Sequence, residues 1–104
     1  MRYRVVVTPE AQADLRAIRA NMKHANPRAV AKWSIGIRSR IKTLSDHPER
    51  CALAPESVHF RTEIREILYG TTNRNIYRVL FAIAPRQILL LHVRHGSRLE
   101  WEGF

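Results

Sequence analysis

Four side chains near the end of the chain have the types and spacing for phosphate chemistry: Arg78 in one apolar run, and His92, Arg94 and His95 in the next. Guanidinium forks grip phosphate oxygens in pairs and an imidazole moves protons near neutral pH, so such a cluster fits ribonuclease-like transfer. Whether these groups share a surface depends on strand parity. Ile88, Leu90, His92 and Arg94 point one way, and Leu89, Leu91, Val93 and His95 the other. The second set is expected in the core, so His92 and Arg94 reach an open sheet face, where an ordinary antiparallel register adds Arg78 and Leu80. A bulge near Gly96 would put His95 there in place of His92. Arg98 extends the cluster as a candidate for nucleic-acid or target contact. The competing reading is a set of solvated strand residues whose arginines pair with Glu63, Glu66 or Glu100. His92 and His95 fall on opposite faces with no cysteine beside them, so no metal site is expected. The chain has no glycine-rich phosphate loop, nucleophile elbow or zinc-binding helix motif, and no cofactor is expected.

The elements that must position these residues follow from periodicity. Tyr3 to Val7 is β-branched and aromatic, and Thr8, Pro9 and Glu10 then supply an N-cap, a proline at the first helical position and a first-turn acid. Ala11, Leu15, Ile18 and Met22 make the apolar stripe of a helix predicted to end near His24 and Ala25. Asn26 and Pro27 repeat the start signal, and Val30, Trp33, Ile37, Ile41 and Leu44 mark a second stripe, closed by Asp46, His47 and Pro48. The stretch to Phe60 has no clean period and is predicted as loop. Arg65 to Gly70 begins a strand pattern and Gly70 to Asn75 a turn. Tyr77, Val79, Phe81 and Ile83 then alternate with Arg78, Leu80, Ala82 and Ala84, as in a strand with one face buried. After a tight turn at Pro85 and Arg86, Ile88 to His95 is apolar on both sides at first, which predicts a central strand. The expected fold is α+β, in the order β-α-α-β-β-β, with a helical hairpin on one face of a small, mainly antiparallel sheet and the other face open. Pairing order and the place of the first strand stay undetermined.

At 104 residues the chain fits one domain spanning 1–104. Its 18 Lys and Arg against 9 Asp and Glu give a net charge of +9, which calls for a polyanionic or acidic partner. Within the second helix Arg28, Lys32, Arg38, Arg40 and Lys42 occur with no acid among them, so its outer face is uniformly positive, and Arg38 and Lys42 are candidates for nucleic-acid or target contact. Cys51 is the single cysteine, which excludes an intramolecular disulfide and favours a reducing compartment. The valine run before Pro9 is too short for a signal-peptide core, and the apolar runs at Val79 to Ala84 and Ile88 to Leu91 fall far short of the roughly 20 residues that cross a bilayer. A cytoplasmic protein with no membrane association is expected.

Tyr77 to Phe81, followed by a turn and Leu91, His92, Val93, Arg94, His95, Gly96, Ser97 and Arg98, resembles the final hairpin of RelE/ParE toxins. Thr8 to Ala11 with Asp14 and Leu15 is similar to their first helix, and Asp46, His47, Pro48 to the end of their second. The resemblance implies a growth-inhibiting, plasmid-stabilising type of toxin that a cognate antitoxin neutralises. It implies as target either DNA gyrase or the messenger RNA of a translating ribosome, cleaved without a metal. In the family's ribonucleases a third-strand arginine acts with basic or histidine groups of the last strand, which Arg78, Arg94 and His95 match. The chain ends in Trp101, Glu102, Gly103 and Phe104, where those ribonucleases often carry a tyrosine. An acidic antitoxin is expected to lay a helix in an apolar groove beside the hairpin, or to add a strand to an open edge, in a hetero-oligomer. Met22 and Trp33 are candidate contacts unless the core takes them. A basic nucleic-acid-binding module without toxicity is the alternative.

Overall fold

The computed structural model describes residues 2–22, 25–70 and 76–96. Strand β1 (Arg4–Val7) passes at once into helix α1 (Pro9–Ala20), because Thr8 caps the helix: its Oγ accepts from the Ala11 amide at 3.2 Å, and Pro9 sits where no amide is needed. Helix α2 (Pro27–Lys42) starts the same way, with Asn26 Oδ1 accepting from the Ala29 amide at 2.8 Å. α1 ends at Ala20, two residues before its apolar period does and about one turn before the end near His24 and Ala25 that the sequence predicts. The amides of Asn21 and Met22 turn back to the carbonyls of Ile18 and Arg19, a tightened last turn that leaves Met22 beyond the helix.

α2 runs into a 3-10 turn at Thr43–Ser45, after which His47 takes a left-handed conformation (φ 49°) that turns the chain. Arg50 ties this corner by donating to the carbonyls of Asp46 at 2.7 Å and His47 at 3.1 Å. The segment predicted as loop holds two further short 3-10 turns, Pro48–Arg50 and Pro55–His59. Strands β2 (Arg65–Tyr69), β3 (Tyr77–Ile83) and β4 (Gln87–His95) complete a sheet of order β1-β4-β3-β2. β1 runs parallel to β4 and the other pairs are antiparallel, so β4 is interior, as its two-sided apolar character requires.

The helical hairpin covers one sheet face. Ala11, Leu15, Ile37, Ile41 and Leu44 pack on Val79, Phe81, Ile88, Leu90 and Val93. Full burial of each large member contributes about 1.5–3 kcal/mol. The hydroxyl of Tyr69 lies against α2 at Gly36, where a Cβ would overlap it, and donates to the Trp33 carbonyl at 3.3 Å.

The opposite face is not open. Leu80, Ala82 and Leu91 place apolar surface on it, and Ala54, Phe60 and Ile64 fold over them as a second, smaller core. Backbone bonds hold this cover down, from Ala54 N to Ile64 O at 2.8 Å and from Glu66 N to Ala52 O at 3.0 Å. β3 is therefore buried on both faces, not one.

Candidate functional site

The register of β3 and β4 decides which of the chemically capable residues meet. Tyr77 pairs with His95, Arg78 with Arg94, Val79 with Val93 and Leu80 with His92. Next, Phe81 pairs with Leu90, so Leu91 is an extra residue and the strand bulges there, not near Gly96. The bulge reverses the parity of β4 halfway along. Ile88 and Leu90 enter the main core with Val93, while Leu91 joins the second core, so Ile88 and Leu90 do not share a face with His92 and Arg94. His92, Arg94 and Arg78 keep the common parity that alternation predicts, and His95 falls on the helical face.

Arg78 is not presented to solvent. Its Nη1 and Nη2 donate to the two oxygens of Glu56 at 2.9 and 2.6 Å, and its Nε and Nη2 donate to Glu66 Oε1 at 3.0 and 2.8 Å. Glu56 is fully buried and the Arg78 side chain only 12% exposed. Hydrogen bonds donated to Glu56 first, then to Glu66, hold the guanidinium above its ordinary pKa against the opposing effect of burial. This triad pins the Pro55–His59 turn to the sheet. A phosphate could reach the fork only by displacing a buried carboxylate.

His92 is held as firmly. Asp14 Oδ2, on α1, lies 2.9 Å from His92 Nδ1 and accepts from the Val93 amide at 3.0 Å. A carboxylate that only accepts fixes Nδ1 as the protonated nitrogen. Asp14 thereby bonds to β4 beyond Leu90, the last residue paired with β1.

His95 packs edge-on against Tyr77, with ring centroids 5.0 Å apart, and Tyr77 packs on Trp33 at 5.1 Å. Trp33 also meets Tyr69 edge-on, so it is a half-buried part of the core margin, and its Nε1 has no acceptor among the described residues. Arg94 and His95 line a cavity of about 300 Å³ with Met22, Tyr77, Asp14 and Asn21. The Nε of Arg94 is buried there without an acceptor among the described residues.

Arg38 and Lys42 lie elsewhere, exposed on α2. With Arg16 and Arg19 they rim a groove of about 550 Å³ floored by Val5, Val7, Leu15 and Ile41. Arg98 lies outside the described residues. The predicted cluster is thus divided: Arg78 and His92 are held by carboxylates, Arg94 and His95 border one cavity, and Arg38 and Lys42 border another. Sequence reasoning missed Glu56, and it noted Asp14 only within the first-helix resemblance, not as the partner of His92. Glu56 follows a proline in a segment without period, and Asp14 differs from a solvated helical acid only by its place on the flank beside Leu15. Among the described residues no three His, Cys, Asp or Glu side chains converge as a metal site would require, and no helix is long and apolar enough to cross a membrane.

The chain thus forms a basic two-helix layer on a four-stranded sheet whose last two strands carry Arg78, Arg94 and His95. The fold is similar to that of the chromosomal ParDE toxin–antitoxin system from P. aeruginosa, with a TM-score of 0.70 and 21% identity over 89% of this chain and 95% of that one. It is also similar to the RelBE2 toxin–antitoxin complex from Mycobacterium tuberculosis, with a TM-score of 0.56 and 23% identity over 91% and 99% of the two chains. No curated protein sequence matches. The family model described as ParE toxin of type II toxin-antitoxin system, parDE, matches residues 5–100, and the chain belongs to that family.

Proposed function

We propose that this toxin arrests growth by binding its target, DNA gyrase, and not by cleaving RNA. The observation that carries the reading is the engagement of Arg78: all of its donor groups face Glu56 and Glu66 under the cover of residues 52–64, so the arginine a nuclease would use is a structural ion pair. A binding inhibitor needs no such free arginine. The groove between α1, α2 and β1 supplies the place for a cognate acidic antitoxin. Its apolar floor and four cations on the rim fit an amphipathic acidic helix, and β1 ends the sheet, where a strand could be added. One observation favours messenger cleavage instead, namely that Arg94 and His95 border the same cavity and that Arg94 Nε has no acceptor among the described residues.

The two readings separate in paired assays of gyrase supercoiling and of a ribosome-programmed messenger. The expected result is blocked supercoiling with intact messenger, and equal inhibition by wild type and His95→Gln. Messenger cut in codon register by the wild type and left intact by His95→Gln would overturn the binding reading. Co-purification with the product of the neighbouring gene checks the antitoxin, and expression without that gene should stop growth.

A further inference from the structure

The charge of this protein is concentrated in one layer. Residues 1–45 hold ten Lys and Arg against two acids, whereas residues 46–104 hold eight against seven, so +8 of the net +9 belongs to β1 and the helical hairpin. Among the described residues the acids are spent elsewhere: Glu56 and Glu66 on Arg78, Glu63 on Arg65, and Asp14 beside His92. Arg28, Lys32, Arg38, Arg40 and Lys42 are all exposed on α2, and none of them makes an ion pair or a side-chain hydrogen bond among the described residues.

At 3.6 residues per turn, Arg28, Lys32, Ile35, Ser39 and Lys42 form the stripe of α2 opposite its core residues Ile37 and Ile41. Arg38 and Arg40 project to its two flanks. The stripe runs about 21 Å, at 1.5 Å per residue. It differs from the groove beside it, because it has no apolar floor: its one large apolar side chain, Ile35, is 67% exposed. A protein helix docked here would find nothing to bury. A polyanion needs only the charges, and a helix about 10–12 Å across fits a major groove about 12 Å wide, with flanking cations directed at the phosphates of both walls.

From this we infer that the outer face of α2 binds the phosphate backbone of duplex DNA without regard to sequence, a surface that meets the antitoxin groove at the shared residues Arg38 and Lys42 and is independent of the choice between gyrase and messenger. Binding of a fluorescent duplex of mixed sequence to the purified full chain, measured by anisotropy across a salt series, tests it. Five phosphate contacts give a slope of log K against log salt near about −4.5, at about −0.9 per contact. Arg28→Gln with Lys32→Gln should reduce that slope by about 2 while leaving the fold intact by circular dichroism. Arg61→Gln with Arg86→Gln removes the same charge from exposed sites off the helices and should change it little. Equal losses from both pairs would mean that net charge alone binds, and would overturn the inference. Binding of poly-glutamate or single-stranded RNA with no binding of the duplex would overturn it as well.

Discussion

Replacing Arg78 by alanine tests whether this arginine is structural. The substitution leaves Glu56 fully buried with no cation, and breaking a buried ion pair from one side costs about 3–5 kcal/mol. For a domain of this size each kcal/mol moves the melting temperature by about 4–8 °C, so a fall of at least about 12 °C is expected. Glu66→Gln is the milder change. Its carboxylate is 20% exposed and Glu56 still holds the guanidinium, so about 1 kcal/mol and a correspondingly smaller shift follow. The decisive variant removes both buried charges at once. Arg78→Met with Glu56→Met leaves no buried ion to desolvate and should recover at least half of the loss, because a buried pair is often replaceable by apolar groups of similar volume. Thermal unfolding by circular dichroism, with growth arrest measured in parallel, is the assay. The double variant should arrest growth again although it has no arginine at position 78. If Arg78→Ala melts within about 2 °C of wild type, or if the double variant refolds fully and remains non-toxic, the structural account of Arg78 fails.

Three further outcomes follow from the packing. Gly36→Ala gains about 1 kcal/mol of helix propensity but drives a Cβ into the Tyr69 hydroxyl, a clash of about 1–3 kcal/mol, so the protein should lose stability in urea and regain part of it when Tyr69→Phe is added. Thr8→Ala removes both the cap to Ala11 and the hydroxyl that donates to the Leu90 carbonyl at 2.6 Å, so it should cost about 1–2 kcal/mol, where Thr8→Ser should cost less than half as much. Burial raises the thiol of Cys51 and the phenol of Tyr77 above their ordinary pKa values. Groups raised in the folded state favour it fully below their unfolded values and lose that effect as pH rises, so these two should leave stability unchanged through neutrality and lower it above about pH 8.5. A Cys51→Ala chain whose unfolding midpoint falls just as steeply between pH 8 and 10 would contradict the cysteine's part in this.

Local signals located the elements well. The Thr8–Pro9 and Asn26–Pro27 starts, the two apolar stripes and the interior place of β4 are all written in short spacings, and each is present in the fold. What could not be read needed long-range information. The bulge at Leu91 has no residue signature, since leucine fits either parity, and only the packing of Leu90 and Val93 on one side with Leu91 on the other reveals it. Glu56 stands 22 residues from Arg78, in a segment whose lack of period conceals that it covers a sheet. The α2 cations, by contrast, were legible at once, because a run of one sign needs no partner to be recognised.

The parallel pairing of β1 with β4 joins Arg4 to Gln87, residues 83 positions apart. A ribosome adds about 5–20 residues per second, so the first strand waits roughly 4–17 s for its neighbour to be made. During that interval Thr8 has no Leu90 carbonyl to hold and the hairpin has no sheet beneath it, so Leu15, Ile37, Ile41 and Leu44 lack their cover. The nascent hairpin therefore exposes an apolar face for as long as its sheet is incomplete. That face is covered only when the last strand of the sheet to be made slides between the first and the third.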